Sequence, residues 1–223
     1  MGRARAGRKV LFHPPGRAMN QTVFVVDDDH AVRDALTHLL EQSGFTVRAF
    51  ASADAFLEQC SPAQRGCVVL DVRMPGLSGP GLQKALATRG KELPIIFLTG
   101  HGDIATSVQS IKAGAYDFLE KPPDADVLIK RVRGALELEE NQHAARESAL
   151  GARVRIEGLT GRELEVALAV ASGESSKAIA KRLGISFRTV EAHRAHITQK
   201  TNTRSALELA RLIEAAREAS GTP

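Results

Sequence analysis

Carboxylates, a hydroxyl and a lysine stand in this chain where short apolar runs end. Asp27 and Asp28 follow residues 22–26, Asp71 follows 67–70, Thr99 follows 94–98, and Lys121 follows the segment 115–119. Three carboxylates brought together repel one another unless a hard divalent cation lies between them, and Mg2+ suits a few carboxylate oxygens together with water and phosphate oxygens. A lysine and a hydroxyl at the rim complete a site for a phosphoryl group, whose transfer depends on positioning and charge neutralisation. Singly, each residue has a plainer reading: a solvated acidic loop at 27–29, a turn former at Asp71, ordinary loop positions at Thr99 and Lys121. Five suitable types at successive strand ends favour the chemical reading over the plain one.

Such residues meet only if the intervening elements bring them to one edge. Residues 22–26 and 67–70 are continuous apolar runs, 45–50 alternates, and further strands are predicted at 94–98 and 115–119. Helical spacing of Val32, Leu36, Leu39 and Leu40 predicts a helix over 30–42. Others are expected around 79–88 and 103–112, and another from Asp124. Continuous apolar strands separated by amphipathic helices indicate a parallel sheet covered on both faces. Five such units form a doubly wound α/β domain of the flavodoxin-like kind, with function at the carboxyl ends of the strands.

The segments VVDDD (25–29), VVLDVRMPGLSG (68–79), IIFLTGHGD (95–103) and AYDFLEKP (115–122) resemble the receiver domains of two-component response regulators, especially the FixJ-like branch. The resemblance implies that Asp71 is the phosphoacceptor. It implies that Asp28 and Asp71 ligate Mg2+, with Asp27 acting through water and the Arg73 backbone carbonyl as a further contact. Thr99 and Lys121 would hold the phosphoryl oxygens, Tyr116 would be the aromatic switch partner of Thr99, and the Lys121–Pro122 bond is expected to be cis. Pro123 departs from the pattern, where an aromatic is common. Haloacid-dehalogenase-like phosphatases also use an aspartyl phosphate, but they carry a second Asp two residues beyond the nucleophile, and here that position is Arg73.

Beyond Leu138 the chain becomes polar and is read as a linker over 139–154, between a receiver at 20–138 and a helical domain at 155–217. Thr160 and Glu163 have capping-box spacing ahead of Leu164 and Leu168. A short helix at about 176–183 ends at Gly184, Ser186 caps a longer helix through about Lys200, and a last helix covers 204–219. Helix, tight turn, helix, with Ile179, Val190 and Ile197 turned inward, leaves Arg188, Glu191, Ala192, Ala195 and Gln199 on one outer face, as a helix entering a major groove requires. Residues 159–194 are similar to the LuxR-type four-helix DNA-binding domain, with Gly161 where proline is frequent and Ala167 where a larger apolar residue is common. The resemblance implies a recognition helix at 187–200, with Lys177, Arg188, Thr189, Glu191, Ala192, Arg194, Ala195 and Lys200 as candidate DNA contacts. It also implies a last helix in which Leu207, Leu209 and Leu212 contribute to dimerisation. His193 and His196 lack partners for a metal site and are read as helix residues.

Charge divides the same way. Residues 19–140 hold 17 acids against 12 bases, whereas 151–223 hold 12 bases against 8 acids, which points the second domain toward nucleic acid. Residues 1–18 add five bases and no acid and read as a disordered basic extension, with Met19 a candidate start. No apolar run reaches the length of a membrane span. Cys60 and Cys67 are too few for a disulfide framework and suit a cytoplasmic protein. The expectation is a response regulator, itself no enzyme beyond its own phosphorylation and dephosphorylation. Its expected partners are a sensor histidine kinase, operator DNA, RNA polymerase and a second copy of the chain on phosphorylation.

Overall fold

In a computed structural model, residues 21–61, 63–100 and 113–219 are described. The expected basic extension and the expected helix at 103–112 lie outside them. The chain divides into two compact units, up to Glu139 and from Glu140.

The first unit begins with β1 (Thr22–Val26), α1 (His30–Gln42), β2 (Thr46–Phe50), α2 (Ala53–Gln59), β3 (Gly66–Asp71) and α3 (Gly79–Thr88). It continues through β4 (Ile95–Thr99), β5 (Asp117–Glu120) and α4 (Ala125–Glu157). The strands form one parallel sheet in the order β2-β1-β3-β4-β5. Alternation sends Phe24, Val26, Val68, Leu70 and Phe97 to one face, onto Phe56, Leu82 and Leu86. Val23, Val25, Val69, Ile96 and Leu98 go to the other, onto Leu36, Leu40, Leu128 and Val132. Burial on both faces is why β1, β3 and β4 read as unbroken apolar runs. Helix α2 escapes the spacing argument because it is one short element of seven residues. Its signal is local: Ser52 accepts from the Ala55 N–H at 3.2 Å and caps the helix.

Helix α4 is continuous over 33 residues, through the segment expected as a linker and past Gly151. Asp124 caps its start by accepting from the Val127 N–H at 3.0 Å. Leu128, Val132, Ala135 and Leu136 bury one stripe in the sheet's second face. Glu139 closes that stripe as a buried carboxylate, bonded to Gln21 at 2.7 Å and to the Arg65 guanidinium at 3.1 Å. Residues 140–151 have no buried position and hold helical form with strong formers such as alanine and glutamate.

The second unit packs the end of α4 with α5 (Gly161–Ala171), α6 (Ser176–Leu183), α7 (Phe187–Thr201) and α8 (Ala206–Glu218). The capping box is present in both directions between Thr160 and Glu163. Gly184 adopts φ 66°, the left-handed conformation that ends α6 and turns the chain into α7. Ile185 and Val190 flank the Ser186 cap and belong to one core with Val166, Val170, Ile179, Ile197, Leu209 and Ile213. Among the last helix's leucines only Leu207 is exposed. Leu209 lies in that core and Leu212 packs with Ala152 and Ala216, so these two serve the fold and not an outer dimer surface.

Candidate functional site

Parallel pairing puts the carboxyl ends of β1, β3, β4 and β5 side by side, and the chemistry-bearing residues follow. Asp27 lies just beyond β1, Asp71 and Thr99 are the last residues of β3 and β4, and Lys121 follows β5. One oxygen each from Asp27, Asp28 and Asp71 falls within 4.8 Å of the others. Asp27 and Asp71 are buried and Asp28 is exposed.

Lys121 spans the two buried acids, its Nζ 2.6 Å from Asp27 Oδ2 and 3.1 Å from Asp71 Oδ1. Its main chain is held in place as well: the Lys121 N–H donates to the Thr99 carbonyl at 2.8 Å, and the Lys121–Pro122 bond is cis. Burial pushes the Asp71 carboxyl above its usual value and Asp27's charge adds to that, against the opposing pull of Lys121 and the Arg73 backbone N–H. Burial alone would lower the Lys121 ammonium, but its bonds to Asp27 and Asp71 outweigh it and hold the pKa above its usual value. Carboxylate oxygens of this number and spacing form a hard donor set that fits Mg2+.

Two further residues shape the pocket, and sequence reasoning missed both. Arg33, on the first turn of α1, donates to the main-chain carbonyls of Asp27 and Asp28 at 2.8 and 2.9 Å and fixes the acidic loop. Gly79 opens α3, where a Cβ would stand 2.3 Å from the Asp71 carbonyl oxygen, so only glycine lets the helix start this close to the strand end. Its motif position inside VRMPGLSG was visible, but the close approach was not.

The switch aromatic requires a correction. Thr99 shares the face of Phe97, two residues earlier in β4, and Phe118 stacks on Phe97 with centroids 4.8 Å apart. Tyr116 stands before β5 and packs into the opposite core, its hydroxyl against Gly134 of α4, where a Cβ would lie 2.3 Å away. The aromatic on Thr99's side of the sheet is Phe118. The Thr99 hydroxyl itself donates to the Gly100 carbonyl at 2.9 Å.

In the second unit α7 presents Arg188, Thr189, Glu191, Ala192, Ala195 and Gln199 to the outside, while Val190, Ile197 and Thr201 are buried. Lys177 is exposed on α6, and Arg194 is half-buried with its Nε 3.9 Å from Glu191. The Thr189 hydroxyl pairs with that of Ser186 at 2.8 Å. Lys200 departs from expectation: its ammonium bonds the buried Glu163 carboxylate at 2.7 Å, with His196 Nδ1 at 3.8 Å from the same group. A cation so committed ties α7 to α5 instead of standing free for a phosphate. That bond and the Thr160 N–H hold Glu163 well below its ordinary 4.5, at about 2.

Comparison with known proteins places both units. Residues 23–133 match the response regulator receiver domain, and residues 157–213 match the bacterial regulatory proteins of the luxR family. The chain is 45% identical over 190 residues to the transcriptional regulatory protein FixJ of Azorhizobium caulinodans, covering 85% of this chain and 90% of that one. It is 45% identical over 192 residues to the transcriptional regulatory protein TdiR of Thauera aromatica, covering 86% and 85%. Among solved structures it is similar to the response regulator StyR, at TM-score 0.81 and 44% identity over 87% of this chain and 98% of that one. Full-length FixJ from B. japonicum is similar at TM-score 0.56 and 39% identity, covering 89% and 98%.

Proposed function

This chain belongs to the FixJ-like response regulators of two-component systems, transcriptional regulators that join a receiver to a LuxR-type DNA-binding domain, and from that premise we propose that Asp71 accepts a phosphoryl group from a sensor histidine kinase and that the modified chain pairs with a second copy on operator DNA. The observation that carries this reading is the convergence of Asp27, Asp28 and Asp71 within 4.8 Å around a lysine that bonds two of them.

An Asp71 carboxylate oxygen attacks the phosphorus of a phosphohistidine, a P–O bond forms as the P–N bond breaks, and the imidazole leaves with the electron pair. Asp27, Asp28 and Asp71, with the Arg73 carbonyl, would hold Mg2+, which supplies charge neutralisation for the incoming phosphoryl oxygens. Lys121 exchanges its carboxylate partner for a phosphoryl oxygen with little movement, since it already touches Asp71. Thr99 trades its bond to the Gly100 carbonyl for another phosphoryl oxygen. Vacating that side of β4 gives Phe118, on the same face, room to turn inward and alter the surface of β4 and β5.

The regulator is not an enzyme acting on a separate substrate; Asp71 is phosphorylated, and water later hydrolyses the aspartyl phosphate, releasing inorganic phosphate and restoring the carboxylate. The receiver spans residues 20–138 and the DNA-binding domain 155–217, joined through 139–154. The α7 face docks in a major groove, and DNA-bound dimers contact RNA polymerase. Among the described residues no helix is long and apolar enough to cross a membrane, which agrees with a cytoplasmic regulator.

Intact-mass measurement after incubation with acetyl phosphate and Mg2+ tests the core of the proposal. One added phosphoryl group is expected on the wild-type chain and none on Asp71→Asn. Undiminished labelling of that variant overturns it.

A further inference from the structure

Helix α7 carries one large apolar side chain outside the core: Phe187, its first residue, 51% exposed. It belongs to neither apolar cluster of the second unit. The apolar contact that fixes the chain's entry into α7 is made by Ile185 and Val190, which share the buried cluster that Phe187 does not join. The cap is made by the Ser186 hydroxyl, which accepts from the Thr189 N–H at 3.0 Å. Phe187 stands next to Arg188 and one helical turn ahead of Glu191, both exposed, so it forms the leading edge of the face assigned to the major groove.

The residues at the start of a recognition helix are those that reach base edges. An aromatic ring neither donates nor accepts a hydrogen bond there. In the major groove the apolar feature of a base edge is the C5 methyl of thymine. We infer that Phe187 is a specificity-determining residue that packs on a thymine methyl at the edge of each half-site. This rests on the assignment of α7 as the recognition helix and adds to it the base that its first residue prefers. An exposed phenylalanine that meets a methyl removes both from water, and burial of one methyl-sized group corresponds to about fourfold in affinity.

The test uses full-length protein, with and without acetyl phosphate. Duplexes are first selected by wild-type protein from a random-sequence pool. Each thymine of the selected sequence is then replaced in turn by deoxyuridine, which pairs identically and lacks only the methyl. Wild-type protein is expected to lose about fourfold in affinity at one thymine per half-site. Phe187→Ala should bind the thymine duplex that much more weakly and be indifferent to deoxyuridine at that position, while Phe187→Leu keeps part of the sensitivity. Because no charge is removed, the slope of affinity against salt should match wild type for both variants, and an unchanged circular dichroism melt separates a lost contact from a lost fold. Equal deoxyuridine penalties in wild type and Phe187→Ala at every thymine overturn the inference while leaving the recognition helix in place. A pool that yields no preferred sequence overturns the recognition-helix assignment as well.

Discussion

At the residue scale, Thr99 and Phe118 test how phosphorylation is relayed. They share one face of the sheet, and Tyr116 occupies the other. Thr99→Ala and Phe118→Ala should each leave Asp71 open to phosphorylation by mass. Both should forfeit most of the gain in DNA affinity that phosphorylation brings, about tenfold or more, whereas Tyr116→Phe should retain it; electrophoretic mobility shift of phosphorylated protein measures all three. Glu163 offers a second test. A carboxyl whose folded pKa is depressed lends stability that is complete above its ordinary value and is lost as pH falls toward the folded one. For Glu163 that window runs from 4.5 down to about 2. Glu163→Gln should lower the melting temperature at neutral pH and flatten the acid-induced loss across the window. A melting profile with wild-type acid slope would contradict the assignment. The identities of Asp27, Asp28, Asp71, Thr99 and Lys121 could be read from the chain because residue type and strand-end position suffice for them. Arg33, Glu163's bond to Lys200 and the face taken by Phe118 could not, because each depends on which neighbour lies across a packed gap.

At the element scale, the two cores explain why strand and helix order was legible: sheet strands buried on both faces cannot hide a polar run, and amphipathic helices advertise their stripe. Helices α2 and α4 sat at the two extremes, one too short to show a period and one too polar in its middle to show a stripe. Two glycines at helical positions should behave in opposite ways. Gly79→Ala places a methyl against the Asp71 carbonyl and the Val72 Cα, backbone atoms that cannot step aside. It should cost about 1–3 kcal/mol in denaturant melts and slow phosphorylation. Gly134→Ala meets only the free end of the Tyr116 ring, and the gain in helix propensity, about 1 kcal/mol, should offset the shift. The comparison of both variants by urea denaturation checks the pair.

At the scale of the whole molecule, an acidic receiver precedes a basic DNA-binding domain, and the active form is expected to be a dimer. Two domains linked on two half-sites make the second contact intramolecular, which raises affinity with no new surface. Sedimentation with beryllofluoride as the phosphoryl mimic should shift the monomer–dimer equilibrium toward dimer at micromolar protein. An equilibrium that the mimic leaves unmoved at every concentration rules this route out. Residues 209 and 212 are then poor choices for breaking the dimer, being core positions, and Leu207 is the better one.

The long α4 has a consequence for amide exchange with deuterium. Its first half is clamped on the sheet and ends in the buried Glu139 bonded by Gln21 and Arg65, and Ala152 is buried again in the second unit. Between them lie turns with no buried position, residues 140–151. A helix seeded by folded structure at both ends needs no new nucleus, so these turns form readily, yet no buried stripe clamps them as one clamps the first half. Protection along this one helix should therefore be slow, then fast, then slow: minutes or less for amides in 140–151, and orders of magnitude longer for those before Glu139. Uniform protection from end to end would mean that these turns are held as firmly as the buried stripe before them.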